Sequence, residues 1–168
     1  MLKIGEGFVG GGPNAAHINL YLGPKDGPIA GAFVASAASP GPGHIPFQAV
    51  IKPNVPAKPV TLFVAKAVLK NSQHENMTWG PAQAGVSAGI TKALLDGVLP
   101  AEAEEGWLAV AAVWVNPAAD DADAVYANNK EATYEAAKRA MTSGWPSRAA
   151  LADALGSVSN PFYTPKQP

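Results

Sequence analysis

The stretch AHINLYL, residues 16–22, alternates strictly between apolar and polar side chains. His17, Asn19 and Tyr21 stand at every second position, and apolar residues stand between them. A period of two residues is typical of a β-strand that has one face on the core. The stretch therefore predicts a sheet with one buried face and one polar face, and Gly23-Pro24 predicts the end of the strand.

Four other segments have the apolar character of strands, and three have the composition of helices. The predicted strands are Leu2–Val9, Phe47–Ile51, Val60–Leu69 and Trp107–Val115. The first two predicted helices are Pro28–Ala38 and a helix that begins at Gly80-Pro81, with Pro81 in the first helical position, and ends at Gly97. The third runs from Pro117 to Ser143 with Asp120 and Asp121 in its first turn. A stiff, extended connection is predicted where Pro53, Pro56 and Pro59 are spaced along the chain.

This order of elements predicts an α+β fold. We expect a two-layer arrangement in which one mixed or antiparallel sheet carries two main helices on one face. One domain is predicted over residues 1–146. Residues 147–168 are rich in small and polar residues and in proline, so they are expected to be a tail that is partly ordered or packed on a neighbouring subunit.

The composition narrows the classes of function. Only 15% of the 168 residues are charged, which favours a surface partly covered by other subunits. The net charge of −1 without a run of Lys or Arg argues against a nucleic-acid partner. No apolar stretch reaches the length of about 18 residues that a membrane span needs, and no signal-peptide pattern is visible. The chain has no cysteine, which excludes thiolate chemistry and disulfides.

His17 and Asn19 project from the same polar face and can share a site. A histidine in this position is either a surface residue or a general acid or base, since imidazole titrates near neutral pH. The other histidines, His44 and His74, have no metal-ligand spacing relative to it, so no metal site is predicted.

Lys66 and Gln83 complete the candidate polar site. Lys66 stands between Ala65 and Ala67 in an apolar strand, and it is either on the exposed face or a cation directed at a ligand carbonyl or anion. Gln83 follows Gly80-Pro81, where it either caps the helix or hydrogen-bonds the edge of a heterocycle. The residues alone leave these alternatives open.

Five segments of the chain resemble the formaldehyde-activating enzymes. They occur in the order and at the spacing of that family, and they extend the resemblance from about residue 3 to residue 146. They are Ala16-His17-Ile18-Asn19-Leu20, Ala49-Val50-Ile51 with the proline-spaced run 53–62, Gly80-Pro81-Ala82-Gln83 with Gly85-Val86, Ala118-Ala119-Asp120-Asp121, and Asn129 with Glu131-Ala132-Thr133.

The resemblance implies an activity and a set of site residues. The implied enzyme is a carbon–oxygen lyase (hydro-lyase) that condenses formaldehyde with tetrahydromethanopterin, as co-substrate, to give the 5,10-methylene derivative and water in one-carbon metabolism and formaldehyde detoxification. It is cytoplasmic, needs no metal, and forms a homopentamer with its active sites between subunits. His17 corresponds to the proton donor. The residues implied to contact the pterin are Asn19, Gln48, Lys66, Val68 and Gln83.

Three of the implied pterin contacts depart from the family pattern. Asn19 replaces an aspartate, Gln48 replaces the usual leucine, and Val68 replaces a residue with a hydroxyl group. These changes keep a second hypothesis open, in which the chain is a catalytically altered paralogue that binds or senses formaldehyde or a pterin. A third hypothesis is a structural protein that uses only the fold.

Overall fold

The computed structural model describes residues 1–142, 145–160 and 163–166. Seven strands and six α-helices make up these ranges, together with a 3₁₀ turn at Gly12–Asn14 and a π-helical turn at Thr78–Ala82. The strands are β1 (Lys3–Val9), β2 (Ala16–Pro24), β3 (Ile45–Gln48), β4 (Val50–Lys52), β5 (Val55–Pro56), β6 (Val60–Ala65) and β7 (Trp107–Trp114). The helices are α1 (Pro28–Ala38), α2 (Ser72–Met77), α3 (Gln83–Leu95), α4 (Ala103–Gly106), α5 (Ala122–Thr142) and α6 (Arg148–Leu155).

Five of the strands form one mixed sheet in the order β1-β2-β7-β6-β3. The β6–β7 pair is parallel, and the other neighbouring pairs are antiparallel. Strands β4 and β5 form a separate two-stranded hairpin. The predicted α+β class is confirmed.

The main core lies between the sheet and helices α3 and α5. Ile18 and Leu20 of β2 are fully buried there, together with Val86 and Ile90 of α3. The prediction of two main helices on one sheet face is confirmed. The opposite face is partly covered by α1, whose Ile29 packs with apolar side chains of β6 and β7.

Helix α5 approaches the edge strand β1 very closely. A Cβ atom added to Gly5 would lie 1.9 Å from the carbonyl oxygen of Ala136, and one added to Gly7 would lie 2.0 Å from that of Ala132. Only glycine fits at these two positions without moving the helix, so the pair sets the distance between the two layers. Glu6 stands between them, and its side chain points to the other face.

Two predicted helix starts were wrong, and the first of them is the start at Gly80-Pro81. The chain becomes helical at Ser72, where the Asn71 side chain accepts a hydrogen bond from the His74 amide at 2.9 Å. Pro81 consequently lies inside the π-helical turn and not in a first helical position. Such local widening is one way in which a helix accommodates an insertion or a proline.

The third predicted helix begins at Ala122, not at Pro117. The side chain of Asp121 accepts a hydrogen bond from the Ala124 amide at 3.0 Å, so Asp121 caps the helix from outside it. Asp120 also lies before the first turn. The predicted end at Ser143 falls outside the described residues.

Three predictions for the strands and connections also need correction. The strand that was expected over Val60–Leu69 ends at Ala65, and the one expected over Phe47–Ile51 is divided between β3 and β4. The proline-spaced connection folds back as the β4–β5 hairpin, because Asn54 takes a left-handed conformation with φ of 66°. The Lys58–Pro59 peptide bond is cis.

The tail contains a short helix that was not predicted. All eight residues of α6 are exposed in the single chain. Residues 161–162 and 167–168 of the predicted tail lie outside the described residues. Packing of this tail on a neighbouring subunit stays a prediction.

Candidate functional site

Strand β2 directs His17 and Asn19 to the sheet face opposite α3 and α5. The alternating residues Ile18 and Leu20 are fully buried toward these helices. Because successive side chains of a strand point to opposite faces, the two polar residues lie together on the other face. The prediction that His17 and Asn19 project from the same polar face is therefore confirmed.

Lys66 joins this face from the position directly after β6, a strand that β7 separates from β2. In the sheet register Asn19 lies beside Ala112 of β7, and Ala112 lies beside Val64 of β6. Lys66 is two residues beyond Val64, and its backbone amide donates to the carbonyl of Val113 at 2.9 Å. The small Ala112 lies between the two polar residues, and the Lys66 Nζ atom donates a hydrogen bond to Oδ1 of Asn19.

A carboxylate from the edge strand holds the imidazole. Nε2 of His17 lies 3.2 Å from Oε1 of Glu6. Arg139 of α5 reaches around β1, where its guanidinium donates to the backbone carbonyl of Glu6 at 2.6 Å and lies 3.6 Å from Oε2. A carboxylate at Nε2 favours a proton on that nitrogen, which leaves Nδ1 for chemistry.

Glu6, His17 and Lys66 line an open cleft of about 870 Å³. The His17 side chain is 38% exposed, so a ligand in the cleft can reach the ring. Phe8 stands beside it with ring centroids 6.1 Å apart. Aromatic walls with a few converging polar groups suit a flat heterocycle. The lining residues are Glu6, Phe8, His17, Lys66, Trp114, Ser159 and Asn160.

Burial and the neighbouring charges shift the pKa values of both His17 and Lys66. Partial burial, followed by the positive charge of Lys66, lowers the pKa of His17 below its ordinary value. The charge and hydrogen bond of Glu6 oppose this by raising the His17 pKa. Burial also lowers the pKa of Lys66, and the charge of Glu6 opposes that shift. Both groups are thereby biased toward their neutral forms.

Comparison with known proteins gives a family match over nearly the whole chain. The model of the family described as formaldehyde-activating enzyme (Fae) matches residues 4–163. This chain belongs to the formaldehyde-activating enzyme family.

Relatives of this family member carry matching names. A 5,6,7,8-tetrahydromethanopterin hydro-lyase of Methanosarcina barkeri is 40% identical over 159 residues, which cover 95% of this chain and 89% of that protein. A bifunctional enzyme Fae/Hps of Methanococcoides burtonii is 39% identical over 146 residues, or 87% of this chain. A bifunctional enzyme Fae/Hps of Methanothrix thermoacetophila is 40% identical over the same length. The chain spans 37% of the length of each bifunctional relative.

Two of the other residues implied by the family resemblance lie at the far edge of the sheet. Gln48 is the last residue of the edge strand β3 and is exposed. It pairs with Leu62, whose side chain belongs to the cluster under α1. Val68 is 49% exposed in the segment after β6. Neither residue lines the cleft at His17 within this formaldehyde-activating enzyme chain.

Gln83 lies in the layer of helices, on the other side of the sheet from His17. Its Oε1 accepts hydrogen bonds from the Val50 amide and from the Ser87 hydroxyl, both at 2.7 Å. The side chain thus ties α3 to the β4–β5 hairpin, and it does not cap the helix start. A single chain brings together His17, Asn19 and Lys66, but not Gln83.

The remaining histidines lie apart from the cleft at His17. His74 is buried, and its Nε2 lies 2.9 Å from the carbonyl oxygen of Val115. His44 is bonded to the carbonyl of Ser36 at 3.2 Å. Across residues 1–142, 145–160 and 163–166, no cluster of three or more potential metal-ligating side chains is found. The same ranges contain no helix that is both long and apolar enough to cross a membrane.

Sequence reasoning missed Glu6 and Arg139. Glu6 lies between two glycines in β1, and the register of β1 against β2 brings it near His17 only in three dimensions. Arg139 is 133 positions further along the chain, so no local pattern connects it with Glu6. The only sequence signal for Glu6 was its charge at one of the alternating positions of the predicted strand Leu2–Val9.

Proposed function

We propose that this protein condenses formaldehyde with tetrahydromethanopterin to give the 5,10-methylene derivative and water. The observation that supports it most is the His17 imidazole, oriented by Glu6 in an open cleft, in a member of the formaldehyde-activating enzyme family. The M. barkeri relative, named as a tetrahydromethanopterin hydro-lyase, supports the same substrate.

His17 is the general acid of the proposed reaction. An amine of the pterin attacks formaldehyde and forms a carbinolamine, whose hydroxyl group is a poor leaving group. The imidazolium donates a proton to this hydroxyl, water departs, and the second pterin amine closes the ring. General acid catalysis typically contributes about 10²–10⁴-fold to the rate. Glu6 holds Nε2, and Nδ1 supplies the proton.

The lowered pKa of His17 fixes the direction of the pH dependence. Only the protonated ring can donate, so its contribution decreases as the pH rises through the lowered pKa. Glu6 extends the useful range upward, because its charge stabilises the imidazolium. The alkaline side of the rate profile therefore reports the His17 pKa.

The pterin is held by residues from two subunits in this proposal. Lys66 acts from the cleft of one chain together with Asn19, to which it is hydrogen-bonded, and Gln48, Val68 and Gln83 act from a neighbour. The separation of these two groups within one chain supports a shared site. Much of the rate enhancement then comes from holding the reactants in a reactive geometry. We propose a cytoplasmic homopentamer without a metal, acting in formaldehyde detoxification.

A second function is favoured by one specific feature. Lys66 is hydrogen-bonded to the neutral amide of Asn19, where the family resemblance implies an aspartate. Loss of that charge supports a paralogue that binds or senses formaldehyde or a pterin without efficient turnover. The fold and the cleft serve either function.

One pair of measurements separates the two functions. Purified protein is mixed with formaldehyde and tetrahydromethanopterin, and the rate is compared with the uncatalysed condensation, while calorimetry measures pterin binding alone. A rate well above background supports the enzyme. Binding without an increase in rate supports the altered paralogue, and absence of both contradicts each proposal.

A further inference from the structure

Lys66 differs from three ion-paired lysines of the described chain in the chemistry of its partner. Lys58, Lys92 and Lys138 each pair with a carboxylate, which favours the charged ammonium. The Nζ atom of Lys66 is bonded instead to the amide oxygen of Asn19. Across the described residues, no carboxylate lies within ion-pair distance of Lys66.

The amine of Lys66 is also partly withdrawn from water while it remains accessible. Its side chain lines the 870 Å³ cleft and also a neighbouring cavity of about 290 Å³ beneath α1. The walls of that cavity are mostly apolar, with Ile29 and Val110 among them. Burial in such surroundings lowers the pKa of Lys66 and increases the fraction of neutral, nucleophilic amine.

We propose that Lys66 captures formaldehyde covalently as an iminium on Nζ and then transfers the carbon to the acceptor amine. The inference rests on the proposed function in taking formaldehyde as the substrate. It adds a covalent step to the general acid step at His17. Asn19 orients the amine through its side-chain oxygen without supplying a charge that would keep Nζ protonated.

The first step forms a bond between Nζ and the carbon of formaldehyde. The electron pair of the carbonyl π bond moves to oxygen, and the proton lost by nitrogen goes to that oxygen. The His17 imidazolium then protonates the hydroxyl group, the carbon–oxygen bond breaks, and water leaves. The nitrogen lone pair completes the iminium, and His17 is left neutral.

The second step returns Lys66 to its starting form. The acceptor amine adds to the iminium carbon, and its proton moves to Nζ. The bond between Nζ and carbon breaks with its electron pair returning to Nζ, so the iminium is now on the acceptor. Ring closure releases one proton, which restores the imidazolium of His17.

The nucleophilic role of Lys66 and the acid role of His17 are coupled through the charges of the cleft. The positive charge of Lys66 is one of the causes that lower the His17 pKa, and Glu6 acts in the opposite direction on both groups. When Lys66 loses its proton, that cause disappears, so the state with a nucleophilic amine also favours a protonated imidazole. Arg139 contacts Glu6 and therefore acts on His17 and Lys66 through that carboxylate.

Reductive trapping tests the capture step directly. The intact protein is treated with limiting formaldehyde and cyanoborohydride, and peptide mass spectrometry follows the addition of a methyl group at each lysine. Lys92 is the internal control, since the hydrogen bond to Asp96 raises its pKa while its side chain stays 44% exposed. The two pKa values shift in opposite directions, so Lys66 holds the larger fraction of neutral amine and we expect it to be modified faster than Lys92.

A conservative variant gives a second readout. Asn19→Asp introduces a carboxylate next to Nζ, which raises the Lys66 pKa and should slow trapping at Lys66 but not at Lys92. Modification of Lys66 no faster than Lys92 in the parent protein overturns the inference, even if condensation is catalysed. Rapid trapping at Lys66 without catalysed condensation supports the capture site and contradicts the proposed function.

Discussion

Oε1 of Glu6 lies 3.2 Å from Nε2 of His17, although Phe8 is the residue directly opposite His17 in the sheet register. Glu6 is thus the diagonal neighbour of His17 across the β1–β2 pair. This diagonal contact holds Nε2 of the ring and leaves Nδ1 available to the reactants. The contact depends on the edge strand, which in turn is fixed by α5 through Gly5 and Gly7.

Glu6→Gln should lower the pKa of His17. The substitution keeps the shape of the side chain but removes the charge that raises this pKa. The measurement is an NMR titration of the His17 ring, assigned from the signal that disappears in His17→Gln. Glu135→Gln is the matched control, since it removes a carboxylate that pairs with Lys138. An unchanged His17 pKa in Glu6→Gln would contradict the role assigned to Glu6.

Lys66→Met should shift the same titration in the opposite direction. The cation of Lys66 is the second cause, after burial, of the lowered His17 pKa. Its replacement by an uncharged side chain of similar length should therefore raise the pKa. The NMR titration again provides the readout, independent of activity. A fall in the His17 pKa would mean that burial increases in the variant and that the Lys66 charge has little effect.

The sheet and its main helices could be predicted because their patterns are local. Alternation in residues 16–22 and the apolar run that forms β7 each determine a strand without knowledge of the rest of the chain. The helix starts could not be predicted in the same way. Pro81 resembles a first helical residue, and only the Asn71 cap and the π-helical turn reveal a helix that begins earlier.

Gly7→Ala should destabilise the protein by about 1–3 kcal/mol, as expected for overpacking against backbone. The added Cβ would lie 2.0 Å from the carbonyl oxygen of Ala132, so β1 and α5 must move apart. Gly11→Ala is the control, because a Cβ atom added there would have no heavy atom beyond its chain neighbours within 4 Å. Urea unfolding at one protein concentration measures both variants. Equal stability of the two would contradict the close approach of α5.

Paired Leu151→Glu and Leu155→Glu substitutions should reduce the size of the oligomer. The two side chains are 56% and 74% exposed and stand four residues apart on one face of α6. In the proposed ring a neighbouring subunit covers this face, and buried carboxylates would oppose that contact. Sedimentation velocity should give a pentamer for the parent and smaller species for the double variant.

Ala149→Glu provides the control for this experiment. Ala149 is two residues before Leu151 and lies on another side of α6. This variant should keep the parent sedimentation coefficient. A double variant that sediments like the parent would contradict a role of the tail in assembly, and a monomeric parent would contradict the ring itself.

The candidate site was predictable only in part. His17 and Asn19 follow from one strand pattern, because residues two apart share a face. Lys66 could be suspected as a site residue from its apolar neighbours in the sequence. Its contact with Asn19 across β7 depends on the small Ala112, which the register places in β7 between β2 and β6. The contact with Glu6 depends on strand pairing alone, and no sequence period contains that information.

His17→Ala tests most directly whether His17 donates the proton that releases water from the formaldehyde adduct. Steady-state kinetics with formaldehyde and tetrahydromethanopterin should give a kcat reduced by about 10²–10⁴-fold. Pterin affinity, measured by calorimetry, should change little, since the lost interaction belongs to the transition state. A variant that keeps most of the condensation rate above the uncatalysed background would contradict this role of His17.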